Sequence, residues 1–225
     1  VHPSNYATAW EHPPTRRAWA KQTTISVLAF IGWFLSPWCF LIFLLAFYSL
    51  ALSIVIIILM GYGMYRAKIQ PAQILTNIRI RRILRAYPWR LDDIPYSFPT
   101  LPGEMPTKLC LTIPHPAQPG EPFLVYQHLR YLPTWWTRRM GPRAKPELKA
   151  QLKPLWFVGD PRFFGVIAVT KPGSAPETPA PKRMHLIVQV GETKQTAPID
   201  VNSWQASPED LAHARQAIGW RGPRD

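Results

Sequence analysis

The chain has 225 residues, 47% of them hydrophobic, and carries 26 Lys and Arg against 13 Asp and Glu, a formal net charge of +13. That length allows a membrane segment plus one compact domain. Two cysteines, Cys39 and Cys110, are too few for a disulfide-stapled fold, and the six histidines (His2, His12, His115, His128, His185, His213) stand singly without metal-ligand spacing, so no metal or cofactor site is expected.

Residues 1–18 read as a short N-terminal tail, cytoplasmic if the positive-inside tendency applies. From Gln22 to Tyr65 there are 44 consecutive residues without Asp, Glu, Lys or Arg. The run ends in bulky "MGYGMYR" rather than at a small-residue cleavage site, which reads as a retained segment and not a signal peptide. A continuous helix of that length would reach about 66 Å, roughly twice the ~30 Å hydrocarbon core, so residues 19–65 are expected to form a transmembrane helical hairpin. "SPW" supplies the expected break, because Pro37 lacks an amide donor and disfavours helix at Ser36. Trp33 and Trp38 would then lie at the far interface, and Trp19, Tyr62 and Tyr65 at the near one. A single helix kinked at Pro37 and a turn shifted toward Ser49 are the alternatives. Gly61 and Gly63 lie too close to an end to suggest a packing motif.

Residues 66–90 carry seven bases and no acid. Ile74, Leu75, Ile78, Ile80, Ile83, Leu84 and Tyr87 can form a broad apolar side and Arg79, Arg81, Arg82 and Arg85 the remainder, which makes a basic amphipathic juxtamembrane helix stopped by Pro88. Such a helix suits anionic lipid head groups, each arginine contributing on the order of 1 kcal/mol there. Packing on the chain's own downstream domain is equally open. Nucleic acid is disfavoured as a partner, because no recognition motif accompanies the charges.

Residues 91–225 read as a small, mostly β, cytoplasmic domain. Five short apolar runs, "KLCLTI" (108–113), "FLVYQHL" (123–129), "LWFVG" (155–159), "FFGVIAVT" (163–170) and "MHLIVQV" (184–190), predict antiparallel strands, with a hairpin at "GDPRF". "LPTWWTRRMGPRAKPELK" and "KPGSAPETPAPK" read as irregular. Ser207 as N-cap, Pro208 at the first position and Glu209 and Asp210 in the first turn predict a C-terminal helix. Trp135, Trp136, Arg138 and Arg139 form a candidate membrane-surface or partner contact; one tryptophan in the core with solvated arginines is the competing reading. No serine elbow, phosphate loop or paired carboxylates are present, and a turn pairing Asp160 with Arg162 accounts for "GDPRF" without catalysis.

"RRILRAYPW" (81–89) and "WFVGDPRFFGVIAV" (156–169) resemble signatures of uncharacterised two-pass actinobacterial membrane proteins: a basic helix ending in Tyr-Pro-Trp, then Gly-Asp-x-Arg-Phe-x-Gly in a β domain. The resemblance covers the hairpin through residue 169 and implies no activity. The expectation is therefore a multi-pass protein of the bacterial inner (cytoplasmic) membrane with both termini cytoplasmic. It would act as a non-catalytic scaffold or accessory subunit, with protein partners in an envelope, transfer or secretion assembly. Two other readings remain: a membrane-tethered enzyme on lipid-linked or peptide substrates, which a pocket around Asp160, Arg162 and His128 would favour, and an anionic-lipid-sensing module.

Overall fold

The computed structural model describes residues 3–46, 50–92, 94–97, 108–114, 122–128, 132–174, 179–188 and 206–218. Two long helices open the chain, α1 (Pro13–Ala46) and α2 (Leu50–Ala86). The expected break at Pro37 does not occur. Proline removes the amide that would bond the carbonyl four residues earlier, here that of Trp33, but Ser36 Oγ donates to Trp33 O at 3.0 Å and satisfies it. The helix therefore runs on to Ala46 and α2 begins at Leu50; the alternative turn near Ser49 falls outside the described residues. The helices also meet closely at Gly63, where a Cβ would lie 2.6 Å from Ser36 Oγ, so this glycine does serve packing despite its place near the end of the apolar run.

The basic segment is not a separate helix. Pro71 lies within α2, which continues to Ala86 and stops before Pro88 as expected.

Beyond the helices are two small antiparallel sheets and a terminal helix. Strands β1 (Arg90–Asp92), β5 (Leu155–Asp160), β6 (Phe164–Thr170) and β7 (Pro181–Val188) form one sheet in the order β1-β5-β6-β7; β2 (Tyr96–Ser97), β3 (Lys108–Pro114) and β4 (Pro122–His128) form the other in chain order. The five predicted strands match β3 to β7 within a few residues at their ends. Leu109, Leu111, Ile113 and Val125 of the smaller sheet share a core with Phe157, Ile167, Val169 and Ile187 of the larger. Two short helices, α3 (Thr134–Met140) and α4 (Pro146–Ala150), occupy the stretch expected to be irregular. Here Pro133 precedes the first helix and Pro146 opens the second, positions at which proline starts a helix instead of ending one. In "KPGSAPETPAPK", residues 175–178 lie outside the described residues, and Pro181 and Lys182 belong to β7.

The C-terminal helix α5 (Pro208–Ile218) begins as predicted. Asp210 N donates to Ser207 Oγ at 3.1 Å and Ser207 N to Asp210 Oδ2 at 3.0 Å, a reciprocal cap with Asp in place of the usual Glu.

The chain divides into two compact units. One is Trp19–Ile78, the helical hairpin; the other combines Val1–Ala18 with Arg79–Asp225. Residues 3–18 therefore belong to the β-rich unit. Ala9 N donates to Tyr87 O and Trp10 N to Leu84 O, both at 2.8 Å. Trp89 Nε1 reaches Thr15 Oγ1 at 2.9 Å, and the Trp89 ring stands edge-on to Trp156, centroids 5.2 Å apart. Every residue of β5 is buried, and all but the last of β6, because one face lies on the shared core while Trp156 and Phe164 on the other meet Trp89, His12 and Tyr87.

Candidate functional site

Within the β-rich unit the last turns of α2 divide by side. Ile80, Ile83 and Leu84 are fully buried, while Arg79 and Arg82 are exposed. Arg81 and Arg85 place their guanidinium carbons 5.1 and 5.2 Å from the Trp10 ring, a cation–π arrangement supplied by the N-terminal segment. Of the four arginines singled out in this helix, two therefore bind the chain itself and two face outward. Trp10 carried no sequence signal, since its partners lie some 70 residues away.

The "GDPRF" hairpin is held by its own side chains. Gly159 has φ +126°, and a Cβ there would fall 2.7 Å from Phe164 O, which requires glycine. Asp160 Oδ1 accepts from Arg162 N and Nε, both at 3.0 Å, and Oδ2 from Arg162 Nη2 at 2.7 Å. Gly165 leaves room for the Phe157 ring, which a Cβ would strike. The glycines, Asp and Arg of this signature thus each have a stereochemical role in the turn.

Arg162 also reaches out of the hairpin, its Nη1 3.0 Å from Asp210 Oδ2 on α5. Beside this pair, Tyr87 Oη and His213 Nδ1 lie 2.9 Å apart, and the Tyr87 ring is edge-on to Phe164. Burial, and then the negative charges of Asp160 and Asp210, raise the Tyr87 phenol above its ordinary range and keep it protonated. Burial alone would lower the basicity of Arg162, but its hydrogen bonds and attraction to Asp160 and Asp210 outweigh that and raise it. Burial would likewise raise Asp210; the Ser207 amide and Arg162 overcome it and hold the carboxyl below its usual range. Tyr-Pro-Trp and Gly-Asp-x-Arg-Phe thus meet at one place and tie down α5. With both carboxylates bonded to one guanidinium, the cluster is a structural clasp in which Asp160 and Asp210 are already engaged.

His128 lies on β4, in the other sheet from Asp160. A shallow apolar depression is lined by Ile94, Tyr96, Met140, Leu152, Lys153 and Leu155, none of them from the clasp. Among the described residues, no three His, Cys, Asp or Glu side chains are grouped as metal ligands.

On α3, Trp136 is buried in the core and Trp135 is half-buried, its ring edge-on to Trp136. Arg139 stacks on Trp135 at 4.1 Å and donates to Gln151 Oε1; Arg138 is exposed. Arg183, which sequence reading passed over, stacks on Trp135 at 5.1 Å from a left-handed backbone position, φ 55°.

The hairpin unit is polar where its helices meet. Trp19 Nε1 donates to Asn77 O at 2.9 Å, Gln22 Nε2 to Asn77 Oδ1 at 3.1 Å, and Asn77 Nδ2 to Ser26 Oγ at 3.1 Å. Trp33 stands edge-on to Tyr62 with the Arg66 guanidinium 5.7 Å away, so it lies beside Tyr62 and not, as expected from the sequence, at the opposite end of the hairpin from it. The unbroken course of α1 through Pro37 accounts for that difference. Outward, Leu28, Ile42, Leu45, Ile57 and Ile58 are each 60–68% exposed. Among the described residues α1 is the one helix long and apolar enough, by length and composition, to cross a membrane.

No family model, no curated protein and no solved structure matches this chain.

Proposed function

We propose that this is a bacterial inner-membrane protein whose α1–α2 hairpin crosses the bilayer twice and holds a β-rich unit at the cytoplasmic surface. Its role there is that of a non-catalytic scaffold or accessory subunit of an envelope, transfer or secretion assembly. The observation that carries the reading is the joining of residues 3–18, which precede the apolar run, to Arg79–Asp225, which follow it. The bonds from Ala9 to Tyr87 and from Trp10 to Leu84 support both flanks lying in one compartment, which an even number of crossings allows. The flanking Lys and Arg favour the cytoplasmic side. The exposed isoleucines and leucines of both helices favour lipid around them, since a water-facing apolar surface of that extent is costly. The non-catalytic role is preferred because Asp160, Arg162 and Asp210 already satisfy one another. Kinship with the two-pass actinobacterial proteins is part of the same proposal and rests on the two signatures alone.

Reporter fusions test the topology: green fluorescent protein is expected to fluoresce at either end of the chain, and alkaline phosphatase to be inactive at either end. An active phosphatase at one end alone contradicts it.

A further inference from the structure

We infer that Arg66 binds the phosphate of a lipid head group at the point where the hairpin enters the bilayer. The inference rests on the membrane-anchored reading above and names a ligand contact within it. The hairpin unit Trp19–Ile78 contains three bases, Lys21, Arg66 and Lys68, and no acid; none occurs anywhere between Glu11 and Asp92. Arg66 is half-buried and packs its guanidinium over Trp33. Its Nε is buried and makes no hydrogen bond among the described residues. A guanidinium offers five N–H donors in a planar fork that matches phosphate oxygens, and a donor held out of water is stabilised by an acceptor, best of all a charged one. No acid of this unit can supply that charge.

Position favours lipid as its source. The uncharged part of α2 from Leu50 to Tyr65 spans about 24 Å, shorter than the ~30 Å hydrocarbon core. Arg66 therefore falls at the inner end of the apolar layer, where a long side chain can extend to the phosphates. Trp33, on which it packs, and Tyr62, which stands edge-on to Trp33, are residue types that sit at head-group level. The exposed side chains of Ile57, Ile58 and Met64 on the same helix give it surface suited to acyl chains.

The test uses the full chain in neutral detergent, titrated with dioleoylphosphatidylglycerol, with retained lipid counted by native mass spectrometry. Arg66→Gln is expected to weaken retention about tenfold, Arg66→Lys less because it keeps the charge and loses only the fork, and Lys68→Gln less than twofold; inorganic phosphate at equal concentration should not displace the lipid. Unchanged retention by Arg66→Gln, with helicity matching the parent, overturns the inference. So does a loss of oligomer mass in place of lipid, which would assign the counter-charge to a partner's carboxylate. Carbonate extraction separates the two failures: a parent chain that washes off membranes defeats the anchored reading itself, whereas one that stays embedded with Arg66→Gln binding lipid normally defeats this site only.

Discussion

The helical hairpin and the β-rich unit are built on opposite plans. In the β-rich unit Trp89, Trp136, Trp156, Phe157 and Phe163 are inside and the arginines of α3 and of the end of α2 are mostly toward the surface. In the hairpin the outward surface carries Leu28, Ile42 and Ile58, while the contacts that join the two helices include Asn77, Gln22, Ser26, Ser36 and Gly63. Apolar burial accounts for the first, whereas small residues and interhelical hydrogen bonds, the means by which helices associate in an apolar solvent, join the helices of the second. The difference teaches that the two units place their apolar side chains oppositely, inward in one and outward in the other, with residues 13–18 and 79–86 as the helical turns that follow the first plan.

Truncating one large side chain in each region breaks the comparison most sharply. Trp156 is fully buried and donates to Thr170 Oγ1 at 2.8 Å, so Trp156→Ala should destabilise the β-rich unit by about 3–5 kcal/mol in denaturant titration in detergent. Trp38 is 60% exposed, and Trp38→Ala should change the same transition by less than about 0.5 kcal/mol. Equal effects would mean that the hairpin surface is packed like a core.

Acid should loosen the β-rich unit next. His185 lies beside Trp136 with its Nε2 buried and without a hydrogen bond among the described residues, and burial pushes its pKa down from 6.5 to about 4. Above pH 6.5 the ring is neutral in both folded and unfolded chains and no stability is lost. As pH falls from 6.5 toward 4 the unfolded chain takes up a proton that the folded chain resists, so stability declines. Between pH 7.5 and 5 the loss should be about 2 kcal/mol. Asp210, held below its usual range, loses its contribution only at more acidic pH, so His185→Phe should abolish most of the slope in this window. A slope that survives the substitution assigns the effect to another group.

The smallest expected effect sharpens the comparison from the other side. Asn77→Ala removes the bonds to Gln22 and Ser26, and should weaken hairpin unfolding in SDS titration by about 1 kcal/mol, within the range measured for interhelical hydrogen bonds. It should leave the denaturant transition of the β-rich unit unchanged.

Local chemistry was legible in the sequence and distant pairing was not. Strands β3 to β7 follow from β-branched and aromatic runs, the Asp160–Arg162 turn from two residues of separation, and the start of α5 from Ser207, Pro208 and Asp210. At Pro37 and Pro133 a break is the wrong expectation, because Ser36 repairs the first and the second sits just ahead of a helix. The contacts of Trp10 with Arg81 and Arg85, of Arg162 with Asp210, and of Asn77 with Gln22 join residues 48 to 75 positions apart. Periodicity and turn chemistry report on neighbours along the chain, so nothing in a single sequence marks such partners. The same limit applies to Arg183, whose stacking on Trp135 depends on how β7 meets α3.

Thiol accessibility in intact cells tests most directly that both flanks of the apolar run share the cytoplasmic compartment and that the chain reverses on the other side. In a Cys39→Ser, Cys110→Ser background, Ser49→Cys should react with a membrane-impermeant maleimide added outside. Ser4→Cys and Arg138→Cys should react only after the membrane is opened. Labelling of Ser4→Cys but not Arg138→Cys in intact cells, or the reverse, would contradict it.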